Sequence, residues 1–490
     1  MADYPALEQL VIQTGTTLKD ALQKIDINAQ GVCFVVNAKN KIVGILTDGD
    51  IRRALLTEHT LETLVEDAAN SDFIRLPITS SNESIRQKLS PDITHIPLVD
   101  DEGQVVDYAC RSRLRRISVM EPNLKGNELT YLTNCINTNW ISSAGKYVTQ
   151  FGQMVADYCE VPYALPVSNG TVALHLALLA LDIGEGDEVI VPDLTFAASI
   201  NAVLYSGATP VIVDIDLDTW NMSPQAIEQA ITPKTKAIMP VHLYGFMCDM
   251  DPIMQIAQQH DLLVIEDAAE AIGSEYKGKK AGSFGEAATF SFFGNKTITT
   301  GEGGMVLFKN EAHYQKAAVL RDHGMSKTKR YWHEYVGYNY RLTNLQAAIG
   351  VAQMEKIDTI VAKKVAIGQQ YNALFSELNE IELPPSKAEQ TNTYWLYTLL
   401  IKHNVAKLNR DEIVQKLLLN GIETRNVFYP LHEMPVYQPY ARFDYPNTSF
   451  VASQGISLPS SLSLSAEEQN EIFKVLKGLL NTRSLLKKVN

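Results

Sequence analysis

The chain has 490 residues, 46% hydrophobic and 20% charged, the composition of a globular protein of two or three domains whose core needs no disulfide staples. A formal net charge of −13 argues against nucleic acid and an anionic membrane surface as main partners. Five scattered cysteines with no C-x-x-C pair, an opening segment without a signal-peptide core, and no run near the ~18 apolar residues of a membrane span predict a soluble cytoplasmic protein with no metal site.

Residues 1–117 read as one domain. Gly31–Val36 is an apolar strand run, Asn37–Lys41 a polar turn, Ile42–Leu46 a second strand, and a helix is expected from Asp50. The pattern returns about 60 residues later in Ile93–Val99, the turn Asp100–Gly103 and Val105–Tyr108. This internal repeat resembles a tandem CBS domain, an α+β pair. Gly44-Ile45-Leu46-Thr47-Asp48-Gly49-Asp50 matches the G-x-x-T-x-x-D ending of that family. The resemblance implies that Thr47 and Asp50 hold the ribose of an adenine nucleotide, a diol that paired acceptors suit. The second copy departs, with Cys110 and Arg113 where Thr and Asp would stand. A docking or dimerising module without ligand is the alternative. A nucleotide-operated brake predicts that AMP or ATP changes the rate or the thermal midpoint.

A linker near Arg113–Val119 leads into a region of alternating strand and helix. Glu188–Val191, Pro210–Ile215, Ala237–Val241, Leu262–Ile265, Thr289–Phe292 and Met305–Phe308 are short buried-strand runs. Helical stretches such as Thr171–Leu181 and Met250–His260 lie between them. This alternation predicts a mostly parallel sheet with helices on both faces over 118–384. A smaller α+β domain is expected over 385–490, with Tyr394–Ile401 as its clearest strand.

Three residues carry the chemistry. Leu262–Asp267 is an apolar strand ending in a carboxylate, at the strand end where open α/β sheets bind ligands. The next strand, through Ser291, runs into Gly294-Asn295-Lys296, so Asp267 and Lys296 can reach one cleft. Pyridoxal phosphate (PLP) chemistry needs such a pair: a lysine for the Schiff base and a carboxylate that keeps the pyridine nitrogen protonated. A surface lysine with a helix-capping aspartate is the bland alternative. The surroundings favour the cofactor. Ser168-Asn169-Gly170-Thr171 lies between a strand end and a helix, where exposed backbone N–H groups make an anion site. Phe196 offers a ring to stack on a pyridine, or is an ordinary core aromatic. His242, at a strand end, reads as a hydrogen-bonded structural histidine rather than a cleft residue.

Residues 118–490 resemble the DegT/DnrJ/EryC1/StrS sugar aminotransferases. The resemblance rests on Trp140-Ile141-Ser142-Ser143, Ser168–Thr171, Glu266-Asp267-Ala268-Ala269-Glu270, Ser291–Lys296, Thr300–Gly304 and Gly337-Tyr338-Asn339-Tyr340-Arg341. It implies a fold-type I aminotransferase acting as a homodimer or higher homo-oligomer. Lys296 and Asp267 would be catalytic; Gly170, Thr171 and Ser291 would hold the PLP phosphate, Phe196 would stack on the ring, and Glu270 would lie near the 3-hydroxyl. Asn339 would reach the phosphate of the neighbouring subunit. The run Ser291–Gly304, Tyr331-Trp332-His333 and Gly421–Arg425 are similar to the GDP-perosamine synthase branch, which moves an amino group from L-glutamate to GDP-4-keto-6-deoxymannose. Asn426, where many relatives have Pro, departs from that pattern, as does the N-terminal part, so another nucleotide-linked or free keto-sugar stays open. Arg321, His333, Arg341 and Arg425 are candidates for carboxylate, pyrophosphate or sugar binding, with structural ion pairs the alternative for each arginine. Dehydratases of the family carry His where Lys296 stands, which favours a ping-pong transamination. A silenced enzyme serving as a nucleotide sensor is the reading from another class, and the intact Asp267, Ser291 and Lys296 argue against it.

Overall fold

A computed structural model describes residues 5–80, 82–110, 113 and 116–481. The chain divides into two compact units. One holds residues up to Ile117 together with Gln415–Glu423; the other holds Ser118–Val414 together with Thr424 onward.

The first unit carries the repeat in its strand pairing. Strands β1 (Val11–Gln13), β2 (Val32–Val36) and β3 (Ile42–Thr47) form one sheet; β4 (Leu76–Pro77), β5 (His95–Val99) and β6 (Val105–Cys110) form another. In each, the first pair is parallel and the second antiparallel. Each hairpin has a register shift at the same place, after Val35 in one and after Leu98 in the other. Val32 pairs with Thr47 and His95 with Cys110, so Cys110 occupies the place of Thr47. Phe34, Val36, Val99 and Tyr108 share one buried cluster. The helix after β3 begins at Asp48, two residues before the expected start, because Thr47 caps it.

The second unit is built on a seven-stranded sheet. Its strands are β7 (Tyr163–Val167), β8 (Glu188–Pro192), β9 (Thr209–Val213), β10 (Thr235–Ile238), β11 (Leu263–Asp267), β12 (Ala287–Ser291) and β13 (Gly304–Phe308). The order across the sheet is β7-β13-β12-β11-β10-β8-β9. Only β13 runs against the others. Every residue of β8 and β13 is buried, as a sheet covered on both faces requires. The Gly170–Ala180 helix is apolar almost all round and packs into one of two large clusters, with Val189, Val191, Ile265 and Val306. Phe151, Val264, Phe290 and Met305 belong to the other cluster.

A four-stranded sheet, antiparallel where paired, follows: β14 (Ile381–Glu382), β15 (Tyr397–Ile401), β16 (Arg425–Asn426) and β17 (Gly455–Leu458), in the order β14-β15-β17-β16. Here β15 starts at Tyr397 rather than the expected Tyr394. Tyr394 has φ of 47°, a left-handed conformation that no strand accommodates.

Candidate active site

Strands β7, β8, β11 and β12 run parallel, so all four end on one edge of the sheet, where this kind of fold takes ligands. Each delivers part of the site.

Asp267 is the last residue of β11 and only 5% exposed. Its Oδ2 accepts a 2.7 Å hydrogen bond from the Ser199 hydroxyl, and its Oδ1 accepts one from the Ala269 N–H at 3.2 Å. Burial pushes this carboxyl above the usual range; the Ser199 hydroxyl, the Ala269 N–H and the Lys296 charge oppose that shift.

The loop after β12 brings Lys296 to the same place. Its Nζ lies 3.4 Å from Glu270 Oε1 and 3.7 Å from the centre of the Trp395 ring. Glu270 Oε2 accepts the Tyr244 N–H at 2.8 Å. Burial lowers the affinity of the amine for its proton, while Glu270 and Asp267 raise it. Exposed Arg425 acts weakly on the same amine, in the direction of burial.

The β7 end forms an anion cradle. Val167 pairs with Gly304, and Gly304 with Ser291, which sets the start of the Gly170 helix beside Ser291. Asn169 caps that helix: its side chain takes the Val172 N–H at 3.0 Å and its carbonyl the Ala173 N–H at 3.2 Å. The N–H groups of Gly170 and Thr171 then remain as first-turn donors that have no intrahelical acceptor. A Cβ on Gly170 would sit 2.8 Å from Ser291 Cβ, and one on Gly304 2.4 Å from the Asn169 carbonyl oxygen. Both glycines are needed for this approach. Two N–H groups, the hydroxyls of Thr171 and Ser291 and a helix N-terminus suit a phosphate.

Beyond β8, Phe196 is 60% exposed, its ring 5.8 Å from that of Phe428. The set fits PLP: a phosphate cradle, a buried carboxylate for the ring nitrogen, a largely buried lysine, and an open aromatic face.

Other candidates have protein partners. Arg321 donates to the Pro166 carbonyl at 2.7 Å, and burial holds its guanidinium below its ordinary range. That bond braces β7, and the buried Arg321 Nε has no hydrogen-bond partner among the described residues. Arg341 pairs with Asp322 at 2.8 Å and donates to Asn339 Oδ1 at 3.1 Å. Exposed His333 meets the His323 carbonyl through Nδ1 at 2.8 Å. Thr47 and Asp50 form a capping box: the Thr47 hydroxyl donates to Asp50 Oδ2 at 2.6 Å, the Asp50 N–H returns to Thr47 at 3.2 Å, and Arg53 also pairs with Asp50. His242 is fully buried, its Nε2 3.0 Å from Glu266 Oε2 and its Nδ1 accepting the Cys248 N–H, a structural role.

The sequence did not reveal Ser199, Tyr244 or Trp395. The only signal for Ser199 was its place in the first turn of the helix that follows Phe196. Trp395 had none, since it lies far along the chain from Lys296.

Residues 122–477 match the model of the DegT/DnrJ/EryC1/StrS aminotransferase family, and residues 3–57 match a CBS domain. The chain is 47% identical over 370 residues to the GDP-perosamine synthase of Caulobacter vibrioides, covering 75% of this chain and 100% of that one. It is 48% identical over 356 residues to the GDP-perosamine synthase of Escherichia coli O157:H7, covering 72% and 96%. Among solved structures, Spr1654 of Streptococcus pneumoniae in its PLP form superposes with a TM-score of 0.70 at 30% identity, covering 74% of this chain and 98% of that one. S. venezuelae DesV, solved with a ketimine intermediate, gives 0.69 at 32% identity, covering 73% and 95%. With the match spanning the whole of the sheet and its site, the chain belongs to the DegT/DnrJ/EryC1/StrS aminotransferase family and is a PLP-dependent sugar aminotransferase.

Proposed function

We propose that this enzyme moves the amino group of L-glutamate to C4 of GDP-4-keto-6-deoxymannose, giving GDP-perosamine. The observation that carries the chemistry is the largely buried Lys296 side chain, its amine set between Glu270 and Trp395 in the field of Asp267. The sugar rests on relatives named GDP-perosamine synthase that are 43–48% identical.

Bound PLP supplies an electron sink and a carrier for the amino group. The chain's own groups do the rest. Gly170, Thr171 and Ser291 hold the phosphate through N–H groups and hydroxyls. Asp267, whose anionic form Ser199 and Ala269 support against burial, holds a proton at the ring nitrogen. Phe196 covers one ring face, and Glu270 lies by the 3-hydroxyl. Lys296 Nζ, once freed, moves the proton between the substrate and cofactor carbons. Arg425, which acts weakly on the Lys296 amine, receives the donor carboxylate or the sugar pyrophosphate. Residues 118–384 carry the cofactor, and 385–490 contribute Trp395 and Arg425. Asn339 serves the phosphate of a neighbouring subunit, so the active species is a homodimer or larger. For the N-terminal unit, the first-copy CBS match supports an adenine nucleotide as the ligand of Thr47 and Asp50. The work is cytoplasmic and feeds surface polysaccharide such as O-antigen.

The test is a spectral cycle. Glutamate should shift the absorbance of the PLP-loaded enzyme to the amine form, and GDP-4-keto-6-deoxymannose should restore it with release of GDP-perosamine. A glutamate shift that the sugar fails to reverse rejects this acceptor. No response to glutamate rejects the donor.

A further inference from the structure

Trp395 is used by nothing in the reaction as described, yet it touches the reacting nitrogen. Its ring centre lies 3.7 Å from Lys296 Nζ, well within the reach of a cation–π contact. Trp395 is 4% exposed, so solvent does not screen that contact. The ring is fixed at two points. Its indole N–H donates to the carbonyl of Asn295, the residue before Lys296, at 2.8 Å. Its own carbonyl accepts from the buried Lys364 Nζ at 3.1 Å.

Behind Trp395 stands a file of rings. Tyr244 stacks on Trp395 with centres 6.2 Å apart and planes 17° from parallel. Phe428 stacks on Tyr244 at 5.6 Å, and Phe196 follows at 5.8 Å. The file runs from the residue that covers the cofactor ring to the lysine. The circuit also closes through charge: the Tyr244 N–H binds Glu270, and Glu270 meets Lys296.

A buried ammonium costs free energy unless something compensates its charge. Glu270 supplies one carboxylate oxygen at 3.4 Å, long for a strong ion pair. The negative face of an indole is the other compensating group at hand, and indole is the best of the three aromatic faces for a cation.

We propose that the indole face of Trp395 is the cation seat of Lys296: it holds the Nζ ammonium whenever that amine is not bonded to the cofactor, with Glu270 as counter-charge. Trp395 is thus a positioning residue for the proton-moving lysine. This rests on Lys296 being the PLP-binding lysine. The seat keeps the freed amine beside the reacting carbons and supports its protonated form against burial.

The test compares full-length Trp395→Phe and Trp395→Leu loaded with pyridoxamine phosphate, so that the Lys296 amine is free. Both variants lose the indole N–H bond to Asn295; only the Phe variant keeps a π face. Acetic anhydride labelling across pH, read by mass spectrometry at the Lys296 peptide, gives the amine pKa. The wild type should be highest, the Phe variant next, and the Leu variant about half to one pH unit below Phe. Equal values in the Phe and Leu variants overturn the seat. If the Leu variant does not fold, Trp395→Met serves as the non-aromatic partner. Borohydride reduction of the PLP-loaded wild type separates the two readings. A pyridoxyl mass on Lys296 together with equal pKa values sinks the seat alone. A pyridoxyl mass on another lysine overturns the assignment of Lys296 and the seat with it.

Discussion

Asp267 has to be ionised to hold a proton on the cofactor nitrogen, and burial works against that ionisation. Ser199 is the largest opposing influence, through a 2.7 Å hydrogen bond. Ser199→Ala therefore raises the Asp267 pKa further. A carboxyl with a higher pKa loses its charge at higher pH as the solution is acidified, so the acid limb of the kcat profile should move upward. A hydrogen bond to a charged group contributes on the order of 1.5–3 kcal/mol, so kcat at neutral pH should fall about 10- to 100-fold. A pH–rate profile checks both; an unmoved acid limb with lowered kcat would place the role of Ser199 elsewhere. The same scale separates the arginines. Arg425 acts weakly on the charge of Lys296, whereas Arg321 donates to a backbone carbonyl. Nothing in their sequence contexts distinguishes them, because a guanidinium suits an anion and a buried carbonyl equally.

The element that matters most is the start of the Gly170 helix. It meets Ser291 only because strands β7 and β12 both pair with β13, and Gly304 on β13 leaves room for the Asn169 carbonyl. Gly170→Ala places a Cβ 2.8 Å from Ser291 Cβ and 3.2 Å from its Oγ, so the helix start must back away. Overpacking of this kind costs about 1–3 kcal/mol. Expressed at the phosphate, that is a loss of about tenfold or more in PLP affinity, measurable by equilibrium dialysis. Retention of wild-type affinity would show that the cradle does not depend on this contact. The strand runs and the helical stretches were legible in the sequence, since apolar runs and helical periodicity are contiguous signals. Element starts were less so: the left-handed Tyr394 and the Thr47 cap moved two of them.

Across the molecule, Lys364 is a titratable group held far from its ordinary state. It is fully buried, donates to the carbonyls of Trp395 and Ser460 at 3.1 and 2.5 Å, and has its pKa pushed by burial from 10.5 down to about 7. Between those values the unfolded chain holds a proton that the folded chain has released. Stability gains from this group as pH rises through that window, by up to about 1.4 kcal/mol per pH unit. Lys364→Met removes the slope. The difference in unfolding free energy, wild type minus variant, should therefore climb from pH 7 to pH 9 in urea titrations; a flat difference would refute the assignment. The molecule also keeps its repeat at this scale. Both hairpins of the first unit share pairing and bulge although Thr47 and Asp50 are replaced by Cys110 and Arg113 in the second copy.

The class of sheet, the internal repeat and the places of Asp267, Gly170, Ser291 and Lys296 on their elements are legible in the chain alone. Each is carried by a contiguous segment: a buried strand run ending in a functional residue, or a capped helix start. The tertiary structure decided which side chains meet. Ser199 reaches Asp267, Trp395 reaches Lys296 and Gly304 admits Asn169 across segments far apart in the chain, while Glu270, after β11, reaches Lys296, after the neighbouring β12. Local spacing specifies a residue's face and its place on an element. Which other face lies opposite depends on sheet order and packing, and those are set by the burial of the whole core at once.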